Sequence, residues 1–269
     1  MLGIFITAGY PSLDATVKAL NILNDAEVDL IELGVPFSDP LADGPVIQKA
    51  SHEALKQGMN LDKVFDLVNI VKSSTKIITP GKGLDNLILF SYYNPLFVYG
   101  FDKLIDQCLK SGVRGVLIPD LPVDEAAILS EKFKEANLDL ILLAAITSNE
   151  ERLQKIIDYS GSWIYLVSRI GITGSDKDIS GHKVGDSEEI DLCSNVLNYL
   201  KKHTNKPIAL GFGIDTGDKV TAALNAGACI AIVGSKAIRV MEEDSTKDLA
   251  EFRKFIAELK SAAAGTLAK

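Results

Sequence analysis

The side chains able to do chemistry fall into two groups. Glu32 sits inside the apolar run DLIEL, and the stretch that follows, GVPFSDPLADGP, carries Asp39 and Asp43. A strand would deliver Glu32 and its loop a second carboxylate, Asp43, eleven residues on, so that both converge on one ligand. An acid among apolar residues loses hydration of its charged form. Its pKa rises, and it can donate and accept a proton near neutral pH. A Glu that pairs with an Arg or caps a loop amide would occupy the same position, and position alone leaves both readings open. The second group is Gly211-Phe212-Gly213, Gly234-Ser235 leading into KAIRVMEE, and Gly174. Lacking a Cβ, these turns let backbone N–H groups approach an anion, and a helix starting near Ser235 points its positive end at it. Any one of these glycines would be a plain turn. Their combination points to a phosphate site.

The elements that must bring these groups together are eight short apolar runs separated by stretches of helical periodicity. They are GIFITA from Gly3, DLIEL from Asp29, LILFSY from Leu87, GVLIP from Gly115, LDLILLA from Leu138, WIYLVS from Trp163, PIALG from Pro207 and CIAIVG from Cys229. Near-continuous hydrophobicity marks strands covered on both faces, as in a parallel sheet. The expectation is an α/β fold, a single (β/α)8 TIM barrel over residues 1–269. Its active site would lie at the C-terminal face, with the phosphate site after strands 7 and 8. Ser148 and Glu151 predict a capping box for EERLQKII, and Ser245 with Asp248 a weaker one. Leu249, Phe252, Ile256 and Leu259 form one stripe of the last helix, facing the barrel. TPGKGLDN, from Thr79, falls at the non-catalytic end. The Gly-rich stretch 171–187 follows the sixth strand and reads as a mobile lid.

Composition narrows the partners. With 47% hydrophobic and 24% charged residues, the chain can bury a sizeable core. Its net charge of -8 repels nucleic acid and anionic bilayers, so an anionic ligand must be met by local amides and helix ends. Cys108, Cys193 and Cys229 show no zinc spacing and read as buried thiols in a reducing compartment. No apolar run is long enough to span a membrane, and the first residues lack a signal-peptide pattern, so a cytoplasmic protein is expected.

Two chemistries lack their residues. No strand ends in Lys, which leaves a Schiff-base aldolase without its amine. His52, His182 and His203 form no cluster with acids, so no metal is expected, and His52 and His203 read as surface groups. Acid–base catalysis by carboxylates on a phosphate-bearing substrate is what remains.

The segments FITAGYP from Phe5, IELGVPFSDPLADGPVIQKA from Ile31, YYNP from Tyr92, PDLP from Pro119, YLVSRIGITG from Tyr165, GFGI from Gly211 and VGS from Val233 closely resemble, in order, the tryptophan synthase α subunit family. The resemblance implies retro-aldol cleavage of indole-3-glycerol phosphate to indole and glyceraldehyde 3-phosphate. It also implies an α2β2 partnership with a β subunit that holds pyridoxal phosphate, while this chain needs no cofactor. Matched position by position, it implies Glu32 as the acid–base group and Asp43 as the carboxylate at the indole nitrogen. Phosphate contacts fall on Gly174, Gly211, Gly213, Gly234 and Ser235. The indole pocket falls on Phe5, Tyr93, Leu117 and Tyr165, and a lid threonine that bonds Asp43 on Thr173. A β-subunit surface falls on Pro36, Asp39, Pro40, Asn94 and Pro95, although Asp39 before Pro40 also fits a simple turn.

Two features depart from the family pattern. Family members usually carry a helix before FITAG that closes the barrel bottom, whereas this sequence starts almost on the first strand; a truncated sequence or an open bottom is expected, and a removed plastid-targeting segment is compatible with either. TPGKGLDN also differs from the usual connector. Two other functions compete: a phosphoribosyl isomerase, which would keep the glycines but has no need of SDPLADGP, and a regulatory subunit that binds the ligand without turning it over.

Overall fold

The computed structural model describes residues 1–167, 186–211, 213–244 and 246–267. Nine parallel strands form one sheet: β1 (Leu2–Thr7), β2 (Leu30–Gly34), β3 (Leu87–Phe90), β4 (Gly115–Leu117), β5 (Asp139–Ile141), β6 (Leu143–Ala145), β7 (Ile164–Val167), β8 (Ile208–Gly211) and β9 (Ile230–Val233). Their order is β5-β4-β3-β2-β1-β9-β8-β7-β6. The count of eight expected strands is corrected at the fifth. LDLILLA divides at Leu142, and its two halves pair with different neighbours, β5 with β4 and β6 with β7. One chain segment thus supplies both edges of a nearly closed barrel. The Tyr165 amide donates to the Leu142 carbonyl at 3.3 Å, and the Gly161 amide to that of Leu140 at 2.7 Å.

Every residue of β1, β2, β3, β4, β8 and β9 is buried, as strands between an inner core and an outer helix layer must be. Leu249, Phe252, Ile256 and Leu259 are buried too, and helix Ala250–Leu267 packs chiefly on helices Gly217–Asn225 and Ser235–Glu243, with a lesser contact to β1. Each such side chain contributes about 1.5–3 kcal/mol.

Three local expectations are corrected. Helix Glu150–Tyr159 is capped by Asn149, whose side chain accepts from the Arg152 amide, while the Ser148 hydroxyl turns back to accept from the Ala145 amide. Asn149 wins because it is the last residue with extended backbone before the helix. At the start of the last helix Thr246 Oγ1 accepts from the Ala250 amide, and Asp244 from those of Thr246 and Phe252; Ser245 lies outside the described residues. Cys108 is buried, which pushes its thiol up to about 12, but Cys193 is only half-buried and Cys229 is exposed, one residue before β9 begins.

The stretch TPGKGLDN lies where β3 starts, away from the strands' C-terminal ends. Its 3-10 turn Gly83–Asn86 is tied to the start of β2, with the Gly83 amide on the Val28 carbonyl at 2.7 Å and Asn86 Nδ2 on that of Asp29 at 2.5 Å. Gly83 has φ +55, and a Cβ there would come within 2.8 Å of the Asn24 backbone. Only glycine fits.

Candidate active site

Residues paired across parallel strands share a face, so the register Phe5↔Glu32 and Glu32↔Ile88 puts these three on one side of the sheet. That side is the barrel interior. The Phe5 ring meets Phe90 edge-on at 5.3 Å, crossing β2 above Gly34, where a Cβ would lie 2.6 Å from the ring. Glycine at 34 is what lets Phe5 take this position beside the acid.

Glu32 is 1% exposed, and burial pushes its carboxyl up to about 8. Oε1 has no hydrogen-bond partner, and no cation pairs with Glu32 among the described residues. An unpaired buried acid of this kind holds its proton at neutral pH.

Asp43 is 3% exposed, and burial pushes it up to about 7. The Tyr92 hydroxyl donates to Asp43 Oδ2 at 2.9 Å, which works against that rise, and itself accepts from the Ala42 amide at 3.0 Å. One phenol therefore holds both the carboxylate and the backbone of the loop that carries it. Tyr165, also buried, has its hydroxyl pushed well up by burial and by the charges of Glu32 and Asp43. Its ring lies against Gly211, where a Cβ would sit 1.8 Å from the hydroxyl oxygen. Tyr165 thus links the carboxylates to the end of β8.

Gly213 follows β8 with φ +77 and is exposed. Gly234 caps helix Ser235–Glu243 without a side-chain bond, so the amides of the first turn face the strand ends without a side-chain cap. A Cβ on Gly234 would touch Phe5 at 3.4 Å, which places this helix start next to the Phe5 wall. Among the described residues no cluster of His, Cys, Asp or Glu could hold a metal ion.

The family model of the tryptophan synthase alpha chain matches residues 2–265. The chain belongs to that family. It is 40% identical over 240 residues to the tryptophan synthase alpha chain of Methanosarcina acetivorans, covering 89% of this chain and 80% of that one. It is 42% identical over 259 residues to that of Synechocystis, covering 96% and 91%. Among solved structures, tryptophan synthase subunit alpha from Legionella pneumophila superposes with a TM-score of 0.82 at 28% identity, covering 98% of this chain and 93% of that one. A tryptophan synthase complex from Pyrococcus furiosus gives 0.80 at 30% identity, covering 97% of each.

The residues matched to the family are distributed unevenly around these two carboxyl groups. Glu32, Asp43, Phe5, Tyr165, Gly211 and Gly234 come together, and Leu117 is buried at the end of β4 opposite Phe90. Tyr93 departs from the rest: it begins helix Tyr93–Tyr99, stacks on Phe97 at 5.8 Å and meets Phe101 at a tilt at 5.5 Å. Its neighbour Tyr92 is the one that reaches Asp43. Strand parity carries that signal, since Tyr92 lies two residues beyond the inward-facing Phe90. Thr173, Gly174 and the rest of the expected lid through residue 185 lie outside the described residues, as do His182 and Phe212.

On the expected partner surface Asp39 and Asn94 are exposed and Pro95 is half-buried, but Pro36 and Pro40 are buried within the chain. Leu41, in the loop after β2, and Phe97 and Val98, in helix Tyr93–Tyr99, are large, apolar and 81%, 61% and 77% exposed. Large apolar side chains left in solvent mark a contact surface better than the buried prolines do.

Proposed function

We propose that the chain is a tryptophan synthase α subunit, a carbon–carbon lyase that cleaves indole-3-glycerol phosphate to indole and glyceraldehyde 3-phosphate and passes indole to a β subunit. The observation that carries this reading is Glu32, a buried carboxyl that burial pushes up to about 8, on the same inner face as Phe5 and close enough to Tyr165 for that hydroxyl to feel both it and Asp43. The Glu32 proton goes to indole C3, which makes an indoleninium cation. The Glu32 carboxylate then takes the proton of the C3′ hydroxyl as the C3–C3′ bond breaks and its electrons return to the ring. The acid ends as it began, protonated.

Asp43, ionised, accepts the indole N–H and stabilises the cation; Tyr92 favours that charged form by donating to it. Phe5, Leu117 and Tyr165 wall the ring, Thr173 closes the lid on Asp43, and the amides at Gly174, Gly211, Gly213, Gly234 and Ser235 hold the phosphate. Local amides suit a dianion in a chain of net charge -8. The chemistry needs no cofactor in this chain; pyridoxal phosphate belongs to the β subunit. Leu41, Phe97 and Val98 supply apolar surface for that partner beside Asp39 and Asn94. The chain acts as one barrel domain in the cytoplasm, and no helix among the described residues is long and apolar enough to cross a membrane.

Incubating the chain with indole-3-glycerol phosphate, with and without a β subunit, and measuring indole tests this directly. Release by the chain alone, faster with the partner, is expected. Tight binding without release would make it a regulatory subunit.

A further inference from the structure

Next to Phe5 and Glu32, on the inner face of β1, a buried polar group has no part in this scheme. Thr7 ends β1 two residues beyond Phe5, on the same inner face, and pairs with Gly34, two residues beyond Glu32. It is 1% exposed, and among the described residues its Oγ1 has no hydrogen-bond partner. A buried hydroxyl without a partner destabilises a fold, and Val would fill the same space in a strand without that cost. Glu32 Oε1, on the adjacent strand, is orphaned as well.

The strand order gives this hydroxyl a place in the reaction. β1 lies between β2, which carries the acid, and β9, which leads into the Ser235 helix. A substrate whose reacting carbon is at Glu32 and whose phosphate is at that helix must run its glycerol chain past the end of β1. Between the C3′ carbon and the phosphate that chain carries one further hydroxyl, which needs a partner once water is excluded.

Resting on the function proposed above, we infer that Thr7 is a substrate-contacting residue whose Oγ1 hydrogen-bonds this middle hydroxyl. It holds the glycerol chain in register so that the C3′ hydroxyl faces Glu32. The orphaned oxygen is then a specificity contact, satisfied by the substrate.

The test pairs Thr7→Val with Thr7→Ser in the full chain. Indole release from indole-3-glycerol phosphate is compared with binding of indole-3-propyl phosphate, which keeps ring and phosphate but lacks both hydroxyls. Thr7→Val is expected to lose roughly 10–100-fold in kcat/KM while binding the propyl phosphate as wild type does and melting at the same or a higher temperature. Thr7→Ser, which keeps the hydroxyl, is expected to stay within about 3-fold. Unchanged turnover by Thr7→Val overturns the contact, and so does a lower melting temperature with equal loss on both ligands, which would mark a structural role. A wild-type chain that releases no indole rejects the functional reading and the contact with it; a wild-type chain that does, matched by Thr7→Val, rejects the contact alone.

Discussion

At the scale of single residues, the proposed chemistry depends on two carboxyl groups whose protonation is set by what surrounds them. Glu32→Ala is expected to lose about 10²–10⁴-fold in indole release, the scale of a missing general acid–base group. Burial also links Glu32 to stability. Its carboxyl titrates at about 8 in the folded chain against 4.5 ordinarily, so between those values the folded chain keeps a proton that the unfolded chain has released. The stability contribution is therefore complete below about pH 4.5 and is lost as pH rises through 8. Glu32→Gln should be more stable than wild type at pH 8, by on the order of a few kcal/mol, with the gap closing toward pH 5. Denaturant melts at the two pH values check this, and a constant gap would place Glu32 in solvent. Tyr92→Phe removes the bond that lowers the Asp43 pKa, so the low-pH limb of kcat/KM should move to higher pH. An unmoved limb would free Asp43 from that role.

At the scale of elements, strand ends are shaped by what lies against their glycines. Gly211 ends β8 directly under the Tyr165 ring, a buried and rigid neighbour that cannot swing clear of a methyl group. Gly211→Ala is expected to displace Tyr165, raise KM about 10-fold or more and cost about 1–3 kcal/mol of stability. Kinetics together with a thermal melt would detect both, and a silent substitution would show that β8 yields at its end. Gly34 obeys the same logic through Phe5, and Gly83 does so at the opposite end of the barrel, where it serves packing and not chemistry.

At the scale of the whole molecule, the segments that follow β2 and β3 leave large apolar side chains in solvent. Leu41 projects from the loop after β2, which also carries Asp43, and Phe97 and Val98 project from helix Tyr93–Tyr99 after β3. A partner seated there would press on the segment that orients the acid, which is a direct route for it to alter turnover. Val98→Asp should weaken association with a β subunit about 10-fold or more while leaving the isolated chain's cleavage unchanged. Sedimentation or titration with the β subunit reads the first effect and the indole assay the second. Unaltered association would move the interface elsewhere.

What repeats or is local could be read from the residues in order. Apolar runs covered on both faces specify parallel strands, a Glu inside one of them specifies a desolvated acid, and glycines at strand ends specify close backbone approach. Each of these follows from neighbours in the chain. Which groups meet depended on the packed fold. Tyr92 and not Tyr93 reaches Asp43, because inward alternation persists one pleat past β3. LDLILLA splits because barrel closure requires one segment to serve two edges. Asn149 displaces Ser148 as a cap through backbone angle, and Pro36 and Pro40 turn inward, leaving Leu41 outside. The orphaned hydroxyl of Thr7 shows the same division. Its type and place on a strand could be read directly, but its lack of a partner is a property of everything packed around it.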